Sequence, residues 1–129
     1  MDRVAEIKGV KTTPLKIIEG INGGVMHALK SAETDYAGFG EAYFSTVQFQ
    51  AIKGWKKHTK MTSNLIVPSG EVQFVFYDDR EGSSTKNCYF SVNLSQLNYL
   101  RITVKPGLWM AFKGISESEN MVLNLANIC

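Results

Sequence analysis

The run Glu71-Val72-Gln73-Phe74-Val75-Phe76-Tyr77-Asp78 alternates with a period of two. In an extended chain successive side chains point to opposite sides. Val72, Phe74 and Phe76 therefore share one face, and Glu71, Gln73, Val75 and Tyr77 take the other. A helix would scatter these aromatic residues around its axis. The segment predicts a strand with one face in a core, and the same period recurs on both sides of it.

Downstream, Asp79 to Lys86 is a polar turn around Gly82. Cys88 to Leu94 then sets Cys88, Phe90, Val92 and Leu94 on one side, and Leu100, Ile102 and Val104 mark the next strand. Pro106-Gly107 breaks it, and Leu108 to Phe112 and Met121 to Ile128 complete the set. Upstream, Met61 to Val67 reads as a strand ended by Pro68-Ser69-Gly70. Glu41 to Lys53 reads as one long strand, with Val47, Phe49 and Ala51 on a common face. Ser31 to Gly40 is a loop, and Pro14 to Glu19 pairs with Val25 to Lys30 across the Gly23-Gly24 turn. About nine strands at short spacing, with turn signals between them, predict an all-β sandwich or barrel of jelly-roll type.

Composition narrows the class. With 129 residues, 44% apolar and 20% charged, the chain suits one globular domain spanning 1–129. A net charge of +2 argues against a nucleic-acid partner, which calls for a clustered basic face. Lys53, Lys56, Lys57 and Lys60 form the one local basic cluster, either a solvated rim or a site for an anion such as a diphosphate. Met1 to Val10 has no apolar h-region, and no apolar run approaches the ~20 residues of a membrane helix. A cytoplasmic protein without membrane contact is expected. Cys88 and Cys129 show no metal-ligand or redox spacing, and Cys88 reads as a core residue.

Chemistry concentrates in Ile52-Lys53-Gly54-Trp55-Lys56-Lys57-His58. Gly54 predicts a place where another group comes close to the strand backbone. Beyond it, alternation puts Lys56 with His58 on one face and Trp55 with Lys57 on the other. On an inward face, burial and the neighbouring lysine would both favour neutral imidazole, a base able to remove a proton beside a ketone. The alternative is a surface strand end. His27, the other histidine, reads as a hydrogen-bonded structural residue. Two histidines thirty-one positions apart give no metal site, and none is expected. At the Tyr77-Asp78-Asp79-Arg80 turn, Arg80 either pairs with Asp79 or clamps a phosphate. Phe39, Tyr43 and Trp109 are core aromatics or stacking partners for a base.

In order and spacing these segments resemble the dTDP-4-dehydrorhamnose 3,5-epimerase family. Lys53-Gly54-Trp55-Lys56 is similar to its Arg-Gly-Leu-His, Gly70-Glu71-Val72 to its Gly-Glu-Val, and Asp78-Asp79-Arg80 with Ser83-Ser84-Thr85 to its Asp-Ile-Arg and Ser-Pro-Thr. Gly40-Glu41-Ala42-Tyr43, Leu94-Ser95 and Pro106-Gly107 with Phe112 extend the likeness over Gly38 to Phe112. The resemblance implies a cupin-type jelly-roll barrel (a double-stranded β-helix), a homodimer, and no cofactor or metal. It further implies a nucleotide-linked 4-keto-6-deoxyhexose as substrate, epimerised by a histidine base, a tyrosine acid and a lysine on the enolate, for surface polysaccharide.

The same resemblance locates departures. The family's base histidine falls on Lys56, its lysine near Ser63, its second histidine on Met110, and its tyrosine near Leu123 or Asn124. Lys53 stands for its arginine. A related branch, the 3,4-ketoisomerases, carries Arg-Gly-x-His-x-His, and its second histidine matches His58. The expected catalytic residues are thus His58 and Lys56, with Glu41, Lys53 and Arg80 binding substrate. The competing expectation is a cupin that binds a sugar nucleotide or a partner without catalysis.

Overall fold

A computed structural model describes residues 6–129. The reading of Met1 to Val10 therefore falls partly outside the described residues. Among the described residues eleven strands follow in order: β1 (Val10–Pro14), β2 (Ile17–Ile18), β3 (Val25–Met26), β4 (Glu41–Val47), β5 (Ile52–Lys57), β6 (Ser63–Ser69), β7 (Val72–Tyr77), β8 (Tyr89–Leu94), β9 (Leu100–Val104), β10 (Trp109–Gly114) and β11 (Asn120–Ala126). Antiparallel pairing arranges them as a five-stranded sheet β1-β9-β6-β11-β4, a four-stranded sheet β5-β10-β7-β8 and the hairpin β2-β3. No helix among the described residues is long and apolar enough to cross a membrane.

Strand β7 behaves as its alternation predicts. Val72, Phe74 and Phe76 are each 0% exposed and lie in the core between the two larger sheets. Leu65, Val67, Ile102 and Val122 from the five-stranded sheet join the same cluster. Leu94 is buried at the end of β8, while Cys88, Phe90 and Val92 pack partly against the core.

Two expectations change. The stretch Glu41 to Lys53 is not one strand. It ends as β4 at Val47, turns through Gln48–Ala51 and resumes as β5 in the other sheet. The turn is held by Ala51 N–H donating to the Gln48 carbonyl and Gln50 N–H donating to the Gly114 carbonyl, with Gln50 at φ 65°. Gly114 makes the corner possible, because a Cβ there would lie 2.3 Å from the Gln48 oxygen. Val47 stays buried, but Phe49 and Ala51, expected beside it, are exposed beyond the corner.

Strand β1 also lies where no strand was expected, pairing with β9 along Val10 to Pro14. Lys11-Thr12-Thr13 gives no apolar alternation, and the neighbouring strand supplies the order instead. The Gly23-Gly24 turn does join β2 to β3, with shorter arms than expected.

The polar loop before β4 lies against β9. Arg101 is 0% exposed and donates to the Ala28 carbonyl at 2.8 Å and to Asn64 Oδ1 at 3.1 Å. Its guanidinium also lies 2.7 Å from Glu33 Oε1 and 3.5 Å from Asp35 Oδ2. Thr103 donates to Asn64 Oδ1 at 2.6 Å. Both faces of β9 are therefore buried, one by the apolar core and one by a polar network.

Candidate functional site

Between the two large sheets lies a cavity of about 390 Å³. That volume falls in the range of small-molecule sites. One wall carries Lys53, Gly54, Trp55 and Lys56 from β5, His58 just beyond it, and Met110 and Phe112 from β10. The opposite wall carries Tyr43 and Ser45 from β4, Leu65 from β6, and Val122 and Asn124 from β11.

A bulge in β5 aims its lysines. Met110 pairs with Lys56 and Phe112 with Lys53, so Ala111 alone stands against both Gly54 and Trp55. The extra residue resets the alternation, which lets Lys53 and Lys56 line one cavity although three positions separate them. Gly54 is required here. It sits at φ 132°, and an added Cβ would lie 2.7 Å from both Cα and Cβ of Ala111. The close backbone approach expected at this glycine is thus a contact with β10.

Beyond the bulge, Lys56 and His58 point to the cavity as alternation requires. Burial lowers the pKa of His58, and the positive charge of Lys56 lowers it further. Lys57 turns outward, 3.4 Å from Asp79 Oδ1 and 4.9 Å from the Trp109 ring centroid. Trp109 donates to Asp79 Oδ2 at 2.9 Å, and this contact leads in lowering the Asp79 pKa. Trp109 therefore sits beside a shallow outer groove shared with Trp55, Tyr77 and Tyr89, and Phe39 is exposed. Lys53 is exposed at its part of the wall and donates to the Thr46 carbonyl at 2.9 Å.

Glu41 and Arg80 are not brought to this cavity. Glu41 opens β4 opposite Ala126 and is absent from the lining, although Tyr43 and Ser45 of the same parity are present. Arg80 makes two parallel contacts with the fully buried Asp78, Nε to Oδ1 at 2.8 Å and Nη2 to Oδ2 at 2.9 Å. It also donates to the Lys8 carbonyl at 2.6 Å. Ser83 and Thr85 each donate to Asp78 Oδ2 at 2.6 Å. The turn's ion pair is thus Asp78–Arg80, not Asp79–Arg80. Together these donors, led by Arg80, hold the Asp78 carboxyl far below the usual range and raise Arg80 in turn.

His27 acts through its main chain, which bonds Lys16 and accepts from Tyr99 Oη at 2.8 Å. Among the described residues, no three histidine, cysteine, aspartate or glutamate side chains are grouped to hold a metal ion.

The positions that depart from the epimerase pattern gather in the same place. Met110 lines the cavity, and Ser63 lines a narrow recess that shares Lys56, His58 and Met110 with it. On β11, Asn124 faces the cavity, whereas Leu123 has the opposite parity. Tyr43 stands directly across from Asn124 in the β4–β11 register, and Asn124 Nδ2 donates to its phenol oxygen at 3.0 Å. The sequence offered Tyr43 only as a core aromatic or a stacking partner for a base. Its signal was the parity shared with Glu41, which becomes informative only once the inner face of β4 is known.

No protein-family model matches the sequence. Among curated proteins the chain is similar to the probable low-salt glycan biosynthesis epimerase Agl13 of Haloferax volcanii, with 22% identity over 120 residues, 92% of this chain and 77% of that protein. Among solved structures it is similar to the RmlC epimerase of Mycobacterium tuberculosis, at 20% identity and a TM-score of 0.88, covering 98% of this chain and 67% of that one. That likeness carries the jelly-roll cupin fold. The dTDP sugar isomerase of Desulfovibrio desulfuricans G20 matches at 32% identity and a TM-score of 0.91, covering 95% of this chain and 78% of that one. Identity and coverage at that level, on a jelly roll with a cavity between its sheets, make this chain a member of the dTDP-sugar epimerase and isomerase family of cupins.

Proposed function

We propose that the protein is an epimerase or isomerase of a nucleotide-linked 4-keto-6-deoxyhexose, working by proton transfer next to the ketone in the biosynthesis of a surface polysaccharide or glycan. The observation that carries this reading is the pair His58 and Lys56 on one cavity wall, with the histidine held neutral by burial and by that lysine. A ketone acidifies the hydrogens on its neighbouring carbons. His58 takes one of them, the C–H electrons form the enolate double bond, and the Lys56 ammonium balances the charge on the enolate oxygen. Lys53, at the exposed part of the wall, offers a cation to the diphosphate. Glu41 and Arg80 stand off the wall and are assigned no part in the reaction.

The same reading takes the chain as one domain, acting as a homodimer in the cytoplasm. Exposed Phe44 on the edge strand β4 and exposed Ile52 on the edge strand β5 support a dimer contact, and sedimentation would measure it.

The activity is tested with a dTDP-linked 4-keto-6-deoxyhexose in deuterium oxide. The protein should incorporate deuterium beside the ketone, and His58→Gln should lower the rate by about a hundredfold or more. Undiminished exchange in the variant would remove His58 from the mechanism. Saturable binding without exchange in the parent protein would favour a non-catalytic sugar-nucleotide binder, the reading to which Ser63, Met110 and Asn124 in the wall otherwise lend weight.

A further inference from the structure

We infer that the side-chain oxygen of Asn124 accepts a hydrogen bond from a ring hydroxyl of the bound sugar, so that Asn124 selects substrates carrying that hydroxyl. The inference rests on the cavity being the sugar-nucleotide site proposed above, and it adds what one wall recognises. Asn124 is 6% exposed and lines the cavity from β11. Its Nδ2 donates to the Tyr43 phenol oxygen at 3.0 Å, which fixes the plane of the amide. Its Oδ1 has no hydrogen-bond partner among the described residues.

The register shows why the wall leaves this oxygen unpaired. Asn124 stands opposite Tyr43 of β4 on one side and opposite Leu65 of β6 on the other. Leu65 and Val122, which line the same wall, carry no side-chain donor. Tyr43 is held through the amide nitrogen. A buried amide oxygen without a donor is costly, and an occupant of the cavity can supply one.

The chemistry of the substrate restricts that donor. A side-chain amide neither gives up nor takes a proton near neutral pH, so Asn124 recognises and does not catalyse. In a 4-keto-6-deoxyhexose the ketone and ring oxygens only accept, C6 is a methyl group, and the anomeric oxygen carries the diphosphate. The hydroxyls on C2 and C3 are the donors that remain. Asn124 therefore holds the sugar from the five-stranded sheet while Lys56 and His58 meet the ketone from the other wall. A sugar lacking the hydroxyl leaves Oδ1 unpaired in the complex, and a site of this kind rejects it.

The test is calorimetric binding to the full chain of a dTDP-linked 4-keto-6-deoxyhexose and of its 2-deoxy and 3-deoxy analogues. The parent protein should bind at least one analogue about tenfold more weakly than the full sugar. Asn124→Ala should weaken the full sugar by a similar factor and bring that analogue within about twofold of it. Asn124→Asp keeps an acceptor and should keep the discrimination. Equal affinity of the parent for all three sugars would overturn the inference, and that measurement needs no variant to fold. So would an Asn124→Ala protein that binds sugar and analogue equally less well than the parent with the discrimination intact, since that marks a structural role. Loss of discrimination in Asn124→Asp would overturn it too, because the amide nitrogen would then be the reader. Deuterium exchange beside the ketone is followed separately with the full sugar. Discrimination without exchange supports the recognition and falls on the activity, whereas exchange without discrimination falls on Asn124 alone.

Discussion

Burial and one neighbour lower the pKa of His58. Lys56 reaches the same cavity from two residues away, and its charge makes protonation of the imidazole harder after burial has already done so. On the proposed role of His58 as base, the acid limb of the activity should lie below the ordinary histidine range. Lys56→Gln removes the repulsion, so the protonated form becomes easier to reach and the limb should move to higher pH, even as overall activity falls. A pH profile of deuterium exchange measures this, and an unmoved limb would separate Lys56 from His58. Arg80 gives the opposite lesson. From sequence it could pair with Asp79 or clamp a phosphate, yet Asp78 takes both of its parallel donors. Nothing in Tyr77-Asp78-Asp79-Arg80 says which aspartate turns inward. The alternation of β7 decides it, since Asp78 continues the buried side of Phe74 and Phe76.

Among the elements, β5 is the one on which the site depends, and its bulge is the reason. A regular strand would set Lys53 and Lys56 on opposite faces. Two residues opposite one, with Gly54 at φ 132°, bring both lysines to the cavity. Gly54→Ala should destabilise the protein by about 1–3 kcal/mol, because a side chain in that conformation is strained and also collides with Ala111. Urea denaturation measures the loss, and a variant as stable as the parent would mean that β10 yields easily. Exchange should fall as well, because Lys53 and Lys56 lose their common register. The glycine's importance could be read in the sequence as a close approach. That β10 is what approaches could not, since Ala111 lies nearly sixty positions away.

At the scale of the whole molecule, buried polar clusters outside the cavity lock the loops onto the sheets. Arg101 fastens the loop before β4 to the five-stranded sheet, and Asp78 ties the 79–86 turn to the end of β7. Asp78→Asn leaves the guanidinium without its counter-charge and should cost about 3 kcal/mol at neutral pH. The sign of the pH dependence follows from the lowered folded-state pKa of Asp78. Its stabilisation is complete above the ordinary aspartate range, near pH 4, and is lost as the pH falls below it. Parent and variant should therefore differ less in urea midpoint at about pH 3 than at neutral pH, and an equal gap at both would contradict the assignment. The sequence by itself determined the all-β class, the inward faces of β7 and β8, most turns and the pairing of Lys56 with His58, because these follow from a period of two and from glycine and proline. Tertiary structure decided the rest: the corner after Val47, the polar cover on β9, and the meeting of Tyr43 and Asn124 across from His58. Those depend on which strands face one another across a gap, and local alternation carries no information about distant neighbours.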